Sequence, residues 1–546
     1  MPDGPPAGRG PDLVPVRRPG LAAASEDSPT GLVGVLLTAL LLRLWQLGDR
    51  SVWTDEGTAW TAATLPLGEL IEFCRRQDAS PPLYYLLTGL ALRLGDGETQ
   101  LRLVSVLAST ALVWVTYRFA RLLADRRTAT IAAALMALSP FQIMYAQEAR
   151  SYALVALWTV LSLHLFARAV LLERRRAWIP LVLVTALGLW TQSIVVLGIG
   201  TQAAFVALTG AGRRNALRWA GAMAAAFALY APWLVLSAQG PHLASSHWYL
   251  KQPDERTSFG VARALFLSPV SLVTPPITAT LPGLEQFVPR LFAWAVLLAA
   301  PLAPLALGLA RVRDPGSRGT LARFVAGALA LPLLSVFLIS FLRPLWLARY
   351  FVFLGPMVAI LIALGVRALR PRALSMAWFG LLLMTAGYAS FRYFTDYSKE
   401  PWRQVAARAA AGSDPARTAV VVTFDPDPFL YYNARLPRRF PVFAAAHPAV
   451  PFHDAYTPRQ LDELSSALRE STTTYDEVWV VVRSPNSPVR KEVARRARET
   501  AAIGRVAVTV DSLDSFQGKL RFAHYRRPRL ERVPGATASA ETLRAR

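Results

Sequence analysis

The chain has 546 residues, 53% of them apolar and only 17% charged, and its mean hydropathy is +0.32. A soluble protein of this length splits into several domains with more charge on their surfaces, so the composition points to a membrane protein. The net charge of +23 does not imply nucleic acid: the arginines cluster between apolar runs, with no zinc-finger spacing, basic helix or aromatic-basic ribonucleoprotein motif beside them.

Cys74 is the single cysteine, which excludes an internal disulfide and a cysteine-based metal cluster. Residues 1–29, rich in Pro, Gly and Ala, read as a disordered cytoplasmic tail. The apolar run that follows lacks a small-residue cleavage site and reads as an anchor rather than a signal peptide. Apolar runs of membrane-spanning length are expected at about 31–47, 102–120, 128–145, 151–170, 177–193, 195–211, 219–238, 287–310, 321–341, 350–366 and 373–391. They predict a polytopic α-helical membrane protein with about 11 transmembrane helices.

The arginines test that list. Arg118, Arg121, Arg126 and Arg127 fall in one loop, Arg174–Arg176 in a second, and Arg213, Arg214 and Arg218 in a third. Arg311, Arg313, Arg318 and Arg323 follow, then Arg367, Arg370 and Arg372. All five clusters share one side if the spans alternate, and the positive-inside rule makes that side cytoplasmic. The apolar segment 81–95 is too short to cross, and counting it would turn the later clusters outward. It is expected as an amphipathic or re-entrant helix on the outer face.

After residue 391 the pattern changes to a soluble α/β domain, 392–533, expected on the outer side, with a disordered tail at 534–546. A helix from Trp402 to Ala411 precedes a β-run Ala419–Phe424. A helix at Pro458–Arg469 precedes a second run, Val478–Arg483, and Val506–Val510 and Leu520–Tyr525 complete the set.

Three segments could carry chemistry. The first outer loop holds Asp55 and Glu56 just after Trp53. A carboxylate at the membrane edge can take a proton from an acceptor hydroxyl, although the same pair also reads as solvated loop charge. The turn Ser139–Tyr152 places Gln147, Glu148 and Arg150 at membrane depth, where charges are costly unless paired or functional. A local Glu148–Arg150 pair is the plainer alternative. Arg349, beside Tyr350, offers a planar donor fork suited to phosphate, or else reaches to lipid headgroups. Weaker signals are His242, His247, Trp248 and Tyr249 in the second long loop, and Lys399–Arg403, which could cap the site but reads more plainly as a helix start.

Together these segments resemble the GT-C glycosyltransferases of the dolichyl-phosphate-mannose protein mannosyltransferase-like superfamily, which includes bacterial aminoarabinose transferases and family 39 membrane transferases. The resemblance covers roughly 35–370. It rests on W-x-D-E at Trp53–Glu56, P-P-L-Y-Y at Pro81–Tyr85, L-R-L at Leu101–Leu103, the S-P-x-x-x-x-Y-x-Q-E-A-R-x-Y turn at Ser139–Tyr152, and Arg349-Tyr350. Ser80 stands where relatives often have His or Lys. The resemblance implies a polyprenyl-phosphate sugar donor and a lipid, glycan or protein acceptor. It implies Asp55 as general base with Glu56 beside it, inversion at the sugar, and Arg349 on the phosphate. Glu148, Arg150, Tyr350, Tyr84, Arg102 and Gln147 are the further substrate-binding candidates. No cofactor is specified, and a divalent cation is left open. The rival reading is a non-enzymatic membrane transporter of lipid or solute, which predicts charges at mid-membrane and paired broken helices.

Overall fold

A bilayer offers no water to backbone amides, so a spanning segment must satisfy them internally, and the apolar runs are helices. The computed structural model describes residues 30–78, 80–238, 290–342, 345–423, 425–445, 458–483, 488–514 and 519–528. The two expected tails and the histidines at 242 and 247 lie outside those residues.

The membrane part runs α1 Thr30–Leu44, α2 Thr54–Thr64, α3 Leu67–Phe73, α4 Leu83–Leu92, α5 Glu98–Leu123, α6 Arg126–Leu138 and α7 Pro140–Ala146. It continues with α8 Tyr152–Phe166, α9 Trp178–Thr191, α10 Val196–Leu208, α11 Gly210–Arg214, α12 Ala216–Ala238 and α13 Arg290–Ala310. The last three are α14 Gly316–Ser340, α15 Gly355–Ala368 and α16 Arg372–Asp396. Among the described residues six helices are long and apolar enough to cross a membrane, or seven with the bent pair α6–α7. α4, at 10 residues, spans about 15 Å and falls short of the hydrocarbon core. α16 continues to Asp396, past the boundary expected at residue 391.

The expected span 128–145 is broken. Its two halves meet at 57° at Ser139. Pro140 has no N–H to return to Met136, and the Ser139 hydroxyl accepts from Gln142 N at 3.4 Å to start the second half. The freed carbonyls are not abandoned. Buried Arg43 donates to Met136 O and Ala137 O, each at 3.1 Å, and Ser390 Oγ donates to Leu138 O at 2.8 Å. The bend brings residues 147–150 against the loop after α1, where they become part of the site.

At the opposite end, Asp125 caps α6 by accepting from Thr128 N at 2.9 Å. It also pairs with Arg367 at 3.4 Å, which draws two of the arginine-rich turns together.

The C-terminal domain is a doubly covered sheet with strand order β2-β1-β3-β5-β4. Its strands are β1 Thr418–Thr423, β2 Val442–Ala445, β3 Glu477–Arg483, β4 Val506–Asp514 and β5 Lys519–Arg526. β1, β2 and β3 run parallel, while β5 is antiparallel to β3 and β4. Helices α17 Trp402–Gly412 and α18 Asp427–Asn433 cover one face, through Trp402, Val405 and Phe429 on Val420, Val422 and Val481. Helices α19 Pro458–Thr472 and α20 Pro488–Ala502 cover the other, through Leu464, Leu468 and Val493 on Val421, Val480 and Val482. The near-continuous Val runs of β1 and β3 follow from this two-sided burial.

The first face also buries Val52, Leu101 and Ala149 from the membrane part, so the two parts share one apolar core. Polar contacts surround it. Val52 N donates to Tyr432 Oη at 2.7 Å, and Arg403 donates to Gly48 O at 2.7 Å and Glu98 Oε1 at 2.7 Å. α2 lies directly against α18. A Cβ on Gly57 would stand 2.5 Å from Pro428 N, so only glycine permits this approach.

Candidate active site

Asp55 and Glu56 are adjacent on the first turn of α2, so their side chains leave the helix about 100° apart. That divergence gives them opposite environments. Glu56 turns inward and has no exposed surface. It accepts from Arg102 Nε and Nη2, each at 2.7 Å, from Lys399 Nζ at 2.8 Å and from Ala149 N at 2.9 Å. Four donors fill a carboxylate's acceptor capacity. Burial pushes the Glu56 carboxyl up, but the Arg102 and Lys399 cations more than reverse this and hold it at about 2. Burial, with Arg102 nearby, brings the Lys399 ammonium down to about 8 against the pull of Glu56 and Glu148. Arg102 gives its other donors to Leu47 O at 2.6 Å and Ser51 O at 3.2 Å.

Asp55 turns the other way. Its Oδ2 lies 3.3 Å from Arg349 Nη1, with both side chains about a quarter exposed, at 27% and 24%. Arg349 sits on a tight turn, Ala348–Leu354, that leads into α15. Gln142 Nε2 pins this turn by donating to Val352 O at 2.9 Å. The guanidinium carbon lies 5.7 Å from the Tyr152 ring centroid and 6.0 Å from that of Tyr350. Tyr152 in turn packs edge-on against Tyr145 at 5.5 Å. Glu148 is buried at the same place. Burial pushes its carboxyl up to about 7; Lys399 opposes the shift, while Glu56 and Asp55 add to it.

The structure therefore brings Asp55, Arg349, Tyr350 and Glu148 together. Arg150 borders them and donates to Tyr85 Oη at 3.4 Å. Four expected reacting or substrate-contacting residues are placed differently. Glu56 and Arg102 form a closed ion pair, and Tyr84 is buried with its hydroxyl on Ser105 at 3.0 Å. Gln147 is 1% exposed; its amide spans Arg43 O and Trp45 O, and its oxygen accepts from Arg50 at 2.8 Å and Tyr393 at 3.0 Å. These groups have no surface left for a ligand. The physical reason is that buried charges and amides persist only when paired, and these are paired with one another.

Arg50 escaped sequence reasoning, and the segment opened by Lys399 and Glu400 does more than start a helix. Lys399, in the segment read as a helix start or a cap over the site, carries the buried ammonium. Glu400, 1% exposed, accepts from Thr54 Oγ1 at 3.0 Å and Trp402 Nε1 at 2.8 Å, and pairs with Arg483 at 2.5 Å. Arg50 stacks over Tyr393 at 4.1 Å. A basic residue straight after the first span, in a segment otherwise acidic, was the one available cue for Arg50. Among the described residues, no three His, Cys, Asp or Glu side chains converge on a position that could hold a metal ion.

Comparison with known proteins bears on the whole architecture. Residues 79–236 match the dolichyl-phosphate-mannose-protein mannosyltransferase family. No curated protein sequence matches the chain. Among solved structures, ArnT from Cupriavidus metallidurans superposes with a TM-score of 0.58 at 14% identity, over 91% of this chain and 98% of that one. The same protein bound to undecaprenyl phosphate gives 0.57 at 13% identity, with the same coverage. The oligosaccharyltransferase AglB from Archaeoglobus fulgidus, in complex with an inhibitory peptide and a dolichol-phosphate, gives 0.53 at 14% identity, over 92% of this chain and 74% of that one. The family match over residues 79–236 and the structural matches over about nine-tenths of the chain agree, and the chain has the GT-C fold of the protein mannosyltransferase and ArnT-like type.

Proposed function

We propose that this protein transfers a sugar from a polyprenyl-phosphate donor to an acceptor hydroxyl, with Asp55 as general base and inversion at the anomeric carbon. The observation that carries this reading is the Asp55–Arg349 pair. It places a partly exposed carboxylate and a partly exposed guanidinium 3.3 Å apart, beside buried Glu148. Solved structures of the same fold were obtained with undecaprenyl phosphate and dolichol-phosphate, which supports a lipid-phosphate donor.

In this scheme the acceptor hydroxyl gives its proton to Asp55. Its oxygen forms the new bond to the anomeric carbon on the face opposite the phosphate. The bond from that carbon to the phosphate oxygen breaks, and the electron pair leaves with the polyprenyl phosphate. Arg349 then exchanges its contact with Asp55 for the departing phosphate, to which its planar fork can donate twice. Glu56, Arg102 and Lys399 act as positioning residues that fix the first turn of α2 and so aim Asp55. The arginine clusters at the other end of the bundle support an extracytoplasmic site in a cell membrane.

A carrier would need charges near mid-membrane, whereas these charges gather at one end beneath a docked domain. The test is reconstitution of the full chain in vesicles with a panel of radiolabelled polyprenyl-phosphate sugars. Release or transfer of label supports the enzyme. Movement of intact donor between leaflets without release supports the carrier and contradicts the enzyme.

A further inference from the structure

The sheet domain carries a groove that the proposed reaction does not use. α19 and α20 turn Leu464, Leu468, Val493 and Ala497 toward the strands, on the face of the sheet away from the membrane part. Polar residues between those positions line the flank where the two helices meet. Together with Ile503, just past the end of α20, they enclose a groove of about 410 Å³. Sites for small molecules commonly measure about 300–1,000 Å³.

The polar residues of the groove divide into a spent set and a free one. Arg496 pairs with Asp462 at 2.5 Å and Arg495 with Glu499 at 2.5 Å, and both arginines also pair with Glu492. Ser465 Oγ donates to Leu461 O at 2.8 Å. Among the described residues, the side chains of Arg469, Ser466 and Thr500 form no hydrogen bond or ion pair. Thr500 is 6% exposed, so its hydroxyl reaches the outside only through the groove. Ser466 and Arg469 stand three residues apart on α19 and so share one flank of it, while Thr500 belongs to α20.

Arg469 lies in the last turn of α19, where a cation ordinarily answers free carbonyls. Other groups already answer them. Arg505 donates to Thr472 O at 2.7 Å, and the Thr472 and Thr473 hydroxyls donate to Leu468 O and Arg469 O at 2.7 Å and 2.6 Å. The helix end is satisfied without the Arg469 side chain.

We infer that this groove binds an anionic polyol, a small hydroxyl-rich molecule carrying one phosphoryl or carboxyl group. The Arg469 guanidinium and the Ser466 and Thr500 hydroxyls all donate, and an oxyanion offers several acceptor oxygens to such a set. Asp462 and Glu499 keep lone pairs beyond those their arginines occupy, and these accept from the hydroxyls of the same molecule. The inference is independent of the transferase reading, because α2 and Asp55 belong to the opposite face of the sheet.

The test is calorimetric titration of the full chain in phosphatidylcholine nanodiscs with mannose 6-phosphate, glucuronate, mannose and inorganic phosphate. One of the two sugar anions is expected to bind at least about tenfold more tightly than mannose, and the tighter one identifies the anionic group. Arg469→Gln is expected to weaken that binding about tenfold or more, the loss of one charge-assisted hydrogen bond. Thr500→Val keeps the shape and is expected to weaken it about three- to tenfold. Arg349→Gln, at the candidate active site, is expected to leave it unchanged. Should Arg469→Gln not fold, Thr500→Val carries the test. Wild-type affinity in the folded variants overturns the inference, as does binding of both sugar anions no tighter than that of mannose. Binding lost in Arg349→Gln and kept in Arg469→Gln also overturns it, and inorganic phosphate binding as tightly as mannose 6-phosphate contradicts a polyol ligand.

Discussion

The Lys399 ammonium and the Glu56 carboxylate meet at 2.8 Å with neither side chain exposed. The same ammonium donates to Gln147 O at 2.8 Å, so one side chain joins the sheet domain, the Asp55 helix and the bent-helix turn. Without Lys399, Glu56 keeps its Arg102 partner, but its Oε1 and Gln147 O each lose a charged donor, and a buried acceptor left without a donor costs about 1–3 kcal/mol. Lys399→Met is therefore expected to lower the midpoint of thermal unfolding sharply and to reduce turnover. Combining it with Glu56→Gln, which leaves buried Arg102 without a carboxylate, should cost less than the sum of the two single losses, because Glu56→Gln alone strands two cations and the double variant only one. A double-mutant cycle on purified protein checks this, and simple additivity would mean the two residues are not coupled.

The approach of α2 to α18 depends on Gly57. Gly57→Val places a side chain where Pro428 already stands, so the sheet domain must shift off the Asp55 helix. The expected result is faster cleavage between the two parts in limited proteolysis, with transfer lowered more than membrane insertion. An unchanged cleavage pattern would show that the interface tolerates a Cβ.

Arg43 answers carbonyls that the bend at Pro140 leaves without partners. Arg43→Met keeps much of the volume but removes the donors, which leaves buried acceptors at about 1–3 kcal/mol each. A lower unfolding midpoint in detergent is expected, with recovery on adding Pro140→Ala, which restores an N–H for Met136 O.

Six of the eleven expected spans, seven with the bent pair, meet the length and apolarity of a crossing among the described residues, and the strands at β1, β3, β4 and β5 were legible too, because periodicity and apolar length are local signals. Asp55, Arg349 and Glu148 stood out in the sequence through the order of the motifs that hold them, and Asp55 and Arg349 lie 3.3 Å apart. β2 and α18, at 4 and 7 residues, are too short to carry a pattern. The break at Ser139-Pro140 had its cue in the proline, yet the apolar run continued through it. The roles of Glu56, Arg102 and Gln147 were not legible for a different reason. Their partners come from distant positions, as with Lys399, which lies 343 residues after Glu56, and no local spacing reports such a pair.

Glu148 gives a pH signature. Its folded carboxyl lies at about 7 against an ordinary 4.5, so the native state holds its proton more tightly than the unfolded chain. The stability it contributes is full below about 4.5 and is lost as pH rises through about 7. Glu148→Gln is expected to flatten the fall in unfolding midpoint across that window. Lys399, lowered to about 8, acts above it: there stability rises as pH approaches its ordinary value. Parallel midpoint curves for wild type and Glu148→Gln would contradict the assignment.

The central claim is that Asp55 accepts the acceptor's proton. Single-turnover transfer from a radiolabelled polyprenyl-phosphate sugar, compared between wild type and Asp55→Asn at matched folding, tests it most directly. The asparagine keeps the size of the side chain and can still approach Arg349, but cannot take the proton. The rate is predicted to fall by about 10²–10⁴ with little change in donor binding. A wild-type single-turnover rate in Asp55→Asn would contradict the claim.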